Sequence, residues 1–220
     1  MPPAFPRSDE RLRMVEQQIA GRGITDTRVL AAMREVPRHL FVPAPYDRVA
    51  YADEPLPIGN GQTISQPYIV ALMTGLLRLN ATDTVLEIGA GSGYQAAILS
   101  QLANNVITIE RIDVVAALAK LNLAAVGATN VRIIVGDGTL GYAAGAPYNG
   151  IIVTAATPEI PAPLKTQLAD GGRLVAPVGG STTQELVVLE RHGDRYTVER
   201  HGGVRFVPLI GKYGWQEENL

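Results

Sequence analysis

The residues Glu87-Ile88-Gly89-Ala90-Gly91-Ser92-Gly93 stand where a short apolar run, Val85 to Ile88, gives way to a helical pattern through Ala96, Ala97 and Leu99. Glycines at such a turn let the chain reverse tightly and bring its backbone close to a ligand. Glu110 closes the next apolar run, Val106 to Ile109, at the distance of about 20 residues where an acidic side chain holds a ribose diol. Asp137, inside Gly136-Asp137-Gly138, closes a third run, Val131 to Val135. In a parallel sheet three such strand ends converge on one crevice, so the spacing points to a bound nucleoside.

Two nucleosides compete on pattern alone. Gly91-Ser92-Gly93-Tyr94-Gln95-Ala96 satisfies the dinucleotide pattern G-x-G-x-x-A, which keeps NAD and a nicotinamide-dependent oxidoreductase open. From Gly89 the same stretch reads G-x-G-x-G, preceded by Glu87. Charge separates the two. A carboxylate near a pyrophosphate repels it by about 4 kcal/mol for unit charges at ~4 Å and an effective dielectric of ~20. The same carboxylate suits a ligand carrying an ammonium and a sulfonium, so Glu87 favours S-adenosyl-L-methionine, whose product is S-adenosyl-L-homocysteine.

Composition narrows the rest. With 46% hydrophobic and 18% charged residues in 220, the chain can bury a full core as one domain. It has no Cys, which excludes disulfides, thiolate metal sites and a cysteine nucleophile. Its three His, at 39, 192 and 201, show no HxxxH or HExxH spacing, and no metal is expected. Nineteen basic against twenty-one acidic residues argue against a nucleic-acid partner. Met1 to Arg7 lacks an apolar leader, and no stretch approaches the ~20 apolar residues of a membrane span. The expectation is a soluble, cytoplasmic protein whose oligomeric state the sequence leaves open.

Several elements must position these residues. Leu12, Val15 and Ile19 share one helical face before Gly21 and Gly23, and Asp26 can cap a second helix with Val29, Met33 and Val36 inward. Phe41 to Gly61, rich in Pro, reads as a long ordered loop, and Tyr46 and Tyr51, with Tyr68 beyond it, either pack it down or stack on a ligand. Arg34 and Arg38 read as a solvated face and Trp215 as an anchor for the tail. A helix after Pro67 turns Ile69, Leu72, Met73 and Leu76 inward. From Thr84, strand and helix alternate through strands near 106–109, 131–135, 151–154 and 173–178, with a helix over 161–168 before the last. Then 185–191 and 195–200 flank the turn His192-Gly193-Asp194, and 204–209 is one more extended run. The fold expected is α/β, a mostly parallel sheet covered on both faces, with a helical N-terminal cap and antiparallel C-terminal strands. One domain spans 1–220: cap and substrate loop over 8–78, nucleotide-binding core over 79–180, antiparallel strands over 181–220.

Glu87 to Gly93, Glu110 and Asp137-Gly138 resemble the binding motifs of S-adenosylmethionine-dependent methyltransferases of Rossmann-like, doubly wound fold. Gly61-Gln62-Thr63-Ile64-Ser65-Gln66-Pro67 narrows the resemblance to the protein-L-isoaspartate O-methyltransferase family, and it extends over Val36-Pro37-Arg38, Phe41-Val42-Pro43, Leu168 to Pro177 and Phe206-Val207-Pro208-Leu209. The resemblance implies a repair enzyme that methylates the free carboxylate of L-isoaspartyl, and less well D-aspartyl, residues in damaged proteins and peptides. It implies Ser65 as the catalytic residue and Thr63, Ile64 and Val207 around the substrate. It further implies that Glu87, Gly89, Gly91, Gly93, Glu110, Asp137 and Gly138 bind the cofactor, with Asp137 on the adenine side. One departure is Asn149, where the family commonly carries Asp; it motivates the alternative of a non-catalytic adenosyl-binding module. In the capping reading, Ser65 only starts the helix that follows.

Overall fold

The structure is a computed structural model and describes residues 7–217; the reading of Met1 to Pro6 lies outside them. Seven strands form one sheet in the order β5-β4-β3-β6-β7-β8-β9. These are β3 (Thr84–Ile88), β4 (Asn105–Glu110), β5 (Val131–Val135), β6 (Tyr148–Val153), β7 (Leu168–Gly179), β8 (Gln184–His192) and β9 (Arg195–Val204). Neighbours from β5 to β7 run parallel, whereas β7–β8 and β8–β9 are antiparallel. Helices α4 (Tyr94–Ser100), α5 (Asp113–Ala125) and α6 (Ala162–Gln167) make three of the crossovers. Strand order reverses at β3, between β4 and β6, and a crevice opens there beyond the C-terminal strand ends.

Both faces of the central parallel strands β3, β4 and β6 are buried, which is why these strands are mostly apolar, whereas β9 at the far edge is exposed. Val85, Val106 and Ile152 point into one core, shared with the N-terminal helices and α4. Leu86, Ile88, Ile107, Ile109, Ile151 and Val153 point into the other, beside Leu164 of α6. The mixed sheet, the helical N-terminal segment and the antiparallel end match the expectation from sequence. Among the described residues no helix is long and apolar enough to cross a membrane.

The N-terminal segment departs from a simple helical reading. Helix α1 (Ser8–Arg13) continues as a π-helical stretch, Met14–Ile19, and a 3-10 turn, Ala20–Arg22. The wider turn rotates each residue by less than an α-helix does, so Leu12 leaves the face of Val15 and Ile19. Leu12 is exposed, while Arg11 is buried and donates to the Arg34 carbonyl. Helix α2 (Thr27–Glu35) starts as expected, with Asp26 accepting from the Arg28 and Val29 amides. Arg38 corrects the reading of a solvated face. It is fully buried, donates to the Ala50 and Glu54 carbonyls, lies 5.0 Å from the Tyr94 ring, and burial lowers its pKa to about 10.

The Pro-rich stretch is more regular than a loop. It follows a 3-10 turn at Arg38–Phe41, contains another at Tyr46–Val49 and runs into a hairpin of β1 (Leu56–Gly59) and β2 (Gln62–Ile64). Asn60 and Gly61 form its tip, both at positive φ. Helix α3 (Pro67–Leu76) buries Val70, Ala71, Met73 and Thr74, and Ile69, Leu72 and Leu76 only in part, because it packs against helices on one side and the sheet on another. The expected run 204–209 is not a strand of the sheet. Beyond Val204 the chain leaves β9 and is tied to Ala156 instead, through Ala156 N to Val207 O and Leu209 N to Ala156 O, each 2.7 Å. Trp215 is half-buried and donates its amide to the Leu209 carbonyl, which fits an anchoring role.

Candidate active site

The crevice is built around the turn after β3. The Gly89 and Ala90 amides both donate to the Ile109 carbonyl, folding the loop back over β4. Gly89 sits at φ 95°, and a Cβ there would fall 2.5 Å from the Thr154 hydroxyl, which donates to the carbonyls of Ile88 and Gly89. Only glycine fits both the angle and the contact. At the end of β4, Glu110 is buried and gathers three backbone amides. Its Oε2 accepts from Gly91 at 3.0 Å, and its Oε1 from Arg111 and Ile112 at 2.8 and 3.0 Å.

A cavity of about 850 Å³, its open mouth included, lies over these groups. Gly89, Gly91, Glu110 and Gly138 line it on the sheet side, and Thr63, Ile64, Ser65 and Val207 on the other. Its walls mix apolar side chains, among them Ile88, Ile109, Ile112 and Leu209, with polar ones such as Thr63, Ser65, Gln95 and Thr154, and one carboxylate stands at the strand end. An adenosine-bearing ligand needs that combination: backbone that can be approached closely, apolar faces for the base and an acceptor for the ribose. A second cavity of about 1210 Å³ adjoins it, lined by Pro55, Gln66, Ile69, Thr183, Arg205 and Phe206 among others. Thr63, Ser65, Thr154 and Val207 line both cavities.

Three residues expected at the ligand do not border either cavity. Gly93 faces helix α5, where a Cβ would press on Ala119 and Leu123 at 3.2 Å. Asp137 is engaged by the chain itself: Oδ1 accepts from the Thr139 amide and hydroxyl, and Oδ2 from the Lys212 amide at 2.8 Å. Glu87 points away from the crevice into the core beneath the loop, because side chains alternate along β3 and it shares the face of Val85. It is fully buried and neither oxygen is hydrogen-bonded among the described residues. Burial, reinforced by the charge of Glu110, pushes its pKa up to about 8; the hydroxyl of Thr108, its register partner on β4, pulls the other way without reaching bonding geometry.

Ser65 is released from the capping role. The residue before α3 is Gln66, whose side chain does not cap, and Asp53 Oδ1 accepts from the Tyr68 amide instead. Asn149 sits at the opposite end of the sheet, where its Oδ1 accepts from the Thr84 amide at 3.0 Å. Only an acceptor is needed there, and Asn supplies one as Asp would. Sequence reasoning missed Thr154 as a site residue; its position at the C-terminal end of the fourth parallel strand was the available signal.

Comparison with known proteins gives the same assignment. The family model for protein-L-isoaspartate(D-aspartate) O-methyltransferase matches residues 9–214. The chain belongs to this family. It is 73% identical over 212 residues to a protein-L-isoaspartate O-methyltransferase of Methanoregula boonei, spanning 96% of this chain and 98% of that one. Its counterpart in Methanospirillum hungatei is 62% identical with the same coverage. A solved protein-L-isoaspartate O-methyltransferase superposes with a TM-score of 0.83 at 28% identity, over 94% of this chain and 67% of its own. A Plasmodium falciparum structure in complex with S-adenosyl-L-homocysteine shares the fold, with a TM-score of 0.79 at 24% identity, over 91% and 98%. As a member, the chain is an S-adenosylmethionine-dependent methyltransferase of protein repair. That excludes the oxidoreductase reading, and it disfavours a module that only binds.

Proposed function

We propose that the two adjoining cavities divide one reaction between them: the first holds S-adenosylmethionine and the second receives an L-isoaspartyl residue of a damaged protein or peptide, or less readily a D-aspartyl one. The observation that carries this reading is the shared wall of Thr63, Ser65, Thr154 and Val207, where the two ligands would meet. We divide the chain accordingly: 8–78 supplies the substrate side, 79–180 the donor side, and 181–220 the antiparallel strands, with Thr182, Thr183 and Gly203 to Val207 bordering the second cavity.

S-adenosylmethionine supplies a methyl group made electrophilic by its sulfonium. The acceptor carboxylate, with a pKa near ~4, is already ionised at neutral pH, so no side chain has to remove a proton. The chain's work is placement. The Ser65 and Thr63 hydroxyls donate to the carboxylate without competing as acids, while Ile64 and Val207 pack against the substrate residue. Glu110 accepts from the ribose hydroxyls, and Gly89, Gly91 and Gly138 let the donor lie close to the backbone. Gly93 and Asp137 serve the donor indirectly, by seating the loop on α5 and by holding Thr139 and Lys212 beside Gly138. Glu87 lies buried beneath the same loop and does not reach the donor. In-line placement is worth up to roughly 7–11 kcal/mol in favourable cases. An anion and a cation lose charge as they combine, so the apolar side chains of the walls favour the transition state once both groups are bound.

A methyl-transfer assay with labelled donor on paired isoaspartyl and aspartyl peptides tests the assignment. Label in the isoaspartyl peptide alone is the expected result. Binding of S-adenosylhomocysteine without transfer would leave only the binding-module reading.

A further inference from the structure

Asp53 lies at the centre of a set of contacts that neither the donor cavity nor the expected motif explains. Its Oδ1 accepts from the Tyr68 amide at 3.1 Å, in the first turn of α3. Its Oδ2 accepts from Gln66 Nε2 at 2.7 Å, and its own carbonyl accepts from the same nitrogen at 2.9 Å. Arg22 closes the cluster: its guanidinium pairs with Asp53 Oδ2 at 2.6 Å and lies 3.5 Å over the Tyr68 ring. One carboxylate therefore joins the end of the N-terminal helical segment, the loop before β1 and the start of α3.

Two of those segments form walls of the second cavity, through Pro55 on one side and Ser65, Gln66 and Ile69 on the other. Ser65 immediately precedes the residue that Asp53 grips, and α3 begins without a cap of its own. A helix start that lacks a local cap leaves its first amides to find another acceptor. Asp53 supplies that acceptor from a distance, and in doing so it fixes where Ser65 stands relative to Pro55. The loop cannot readily shift away, since Arg38 holds the Ala50 and Glu54 carbonyls on either side of Asp53.

We propose that Asp53 is a positioning residue for the acceptor side of methyl transfer, locking Ser65 and Gln66 against the loop at Pro55, with Arg22 as its partner. This rests on the assignment of the second cavity to the isoaspartyl substrate. The carboxylate does not itself border the donor cavity, so its loss reaches that cavity only through the shared wall at Ser65 and leaves Gly89, Gly91 and Glu110, which hold the donor, in place.

The test is steady-state kinetics of Asp53→Ala and Asp53→Asn with an isoaspartyl peptide, alongside calorimetry with S-adenosylhomocysteine, all well below the melting temperature. In Asp53→Ala the KM for peptide should rise about tenfold, as loss of one hydrogen bond from a displaced Ser65 to the substrate carboxylate would give. Asp53→Asn keeps an oxygen for the Tyr68 amide and should recover part of that loss, while Arg22→Ala should resemble Asp53→Asn. Affinity for S-adenosylhomocysteine should stay within about twofold throughout. An unchanged peptide KM in folded Asp53→Ala overturns the proposal, and so does an equal fall in S-adenosylhomocysteine affinity, which a general loss of structure would cause. Should the Ala variant not fold, the Asn variant and Arg22→Ala decide by the same two readouts. Failure of the parent protein to methylate the peptide would instead refute the proposed function, whatever the variants do.

Discussion

Replacing Glu110 with alanine removes an acceptor that the backbone uses three times, through the amides of Gly91, Arg111 and Ile112. A hydrogen bond to a charged group contributes about 1.5–3 kcal/mol, and the three share two oxygens, so their contributions do not add. All three residues border the open cavity, and water can rescue their amides in part. The expected loss of stability is therefore about 2–3 kcal/mol, not three times the single value. At ~2–4 °C per kcal/mol for a chain of this size, the melting temperature should fall by roughly 4–12 °C. Donor affinity should fall as well, because the ribose loses its acceptor and the Gly91 turn loses its tether. A further 1.5–3 kcal/mol corresponds to about 10–150-fold weaker S-adenosylhomocysteine. Scanning calorimetry reads the first effect and titration calorimetry the second. An unchanged affinity would show that Glu110 is not the ribose acceptor, and an unchanged melting temperature would show that its three bonds contribute nothing net.

Ser65→Ala should lower methyl transfer about tenfold, the worth of one hydrogen bond to a charged acceptor, with S-adenosylhomocysteine affinity nearly intact. If affinity collapses together with activity, Ser65 belongs to the donor site or to folding. Glu87, held at a pKa of about 8 when folded and near 4.5 otherwise, retains a proton that the unfolded chain gives up. Its contribution to stability is full below about pH 4.5 and is lost as pH rises toward 8, by up to about 1.4 kcal/mol per unit. Glu87→Gln should flatten that decline and be the more stable protein at pH 8; urea midpoints that run parallel from pH 5 to 8 reject the argument. Prolonged warm incubation should convert Asn60 to isoaspartate before Asn149, since the first is exposed at a hairpin tip while the second is bonded to Thr84 and precedes a buried strand residue. Peptide mapping with damage first at 149 would reverse that order.

What the sequence made legible was local. The alternation of apolar runs with helical patterns from Thr84 onward required a parallel sheet, and the positions of Gly89, Glu110 and Gly138 at strand ends required one crevice. The Asp26 cap and the β8–β9 turn likewise depend on residues close in the chain. Errors arose where an irregular local geometry or a distant contact decided the outcome. Leu12 is exposed because the helix widens just beyond it, which no 3.6-residue period reports. Arg38 is buried because carbonyls at positions 50 and 54 fold over it, and Asp53 caps a helix 14 residues further on. Glu87 looked like a ligand contact from its place beside the glycines, but strand alternation turns it into the core.

The segment between α2 and β1 is anchored from within: Val36, Phe41, Val42, Ala50 and Tyr51 are buried, and Arg38 and Asp53 tie down its carbonyls and its end. The entropy of ordering this wall is therefore spent when the chain folds and not when a substrate arrives. A preformed wall does not reshape itself around its guest, so the guest must adapt. An isoaspartyl residue held in a rigid turn or strand of its own protein cannot bend to meet Ser65, whereas one in a frayed end or a loose loop can. The enzyme should accordingly find damage by the suppleness of the host chain as much as by its chemistry, and rigid proteins should shelter lesions that a brief local unfolding would expose to repair.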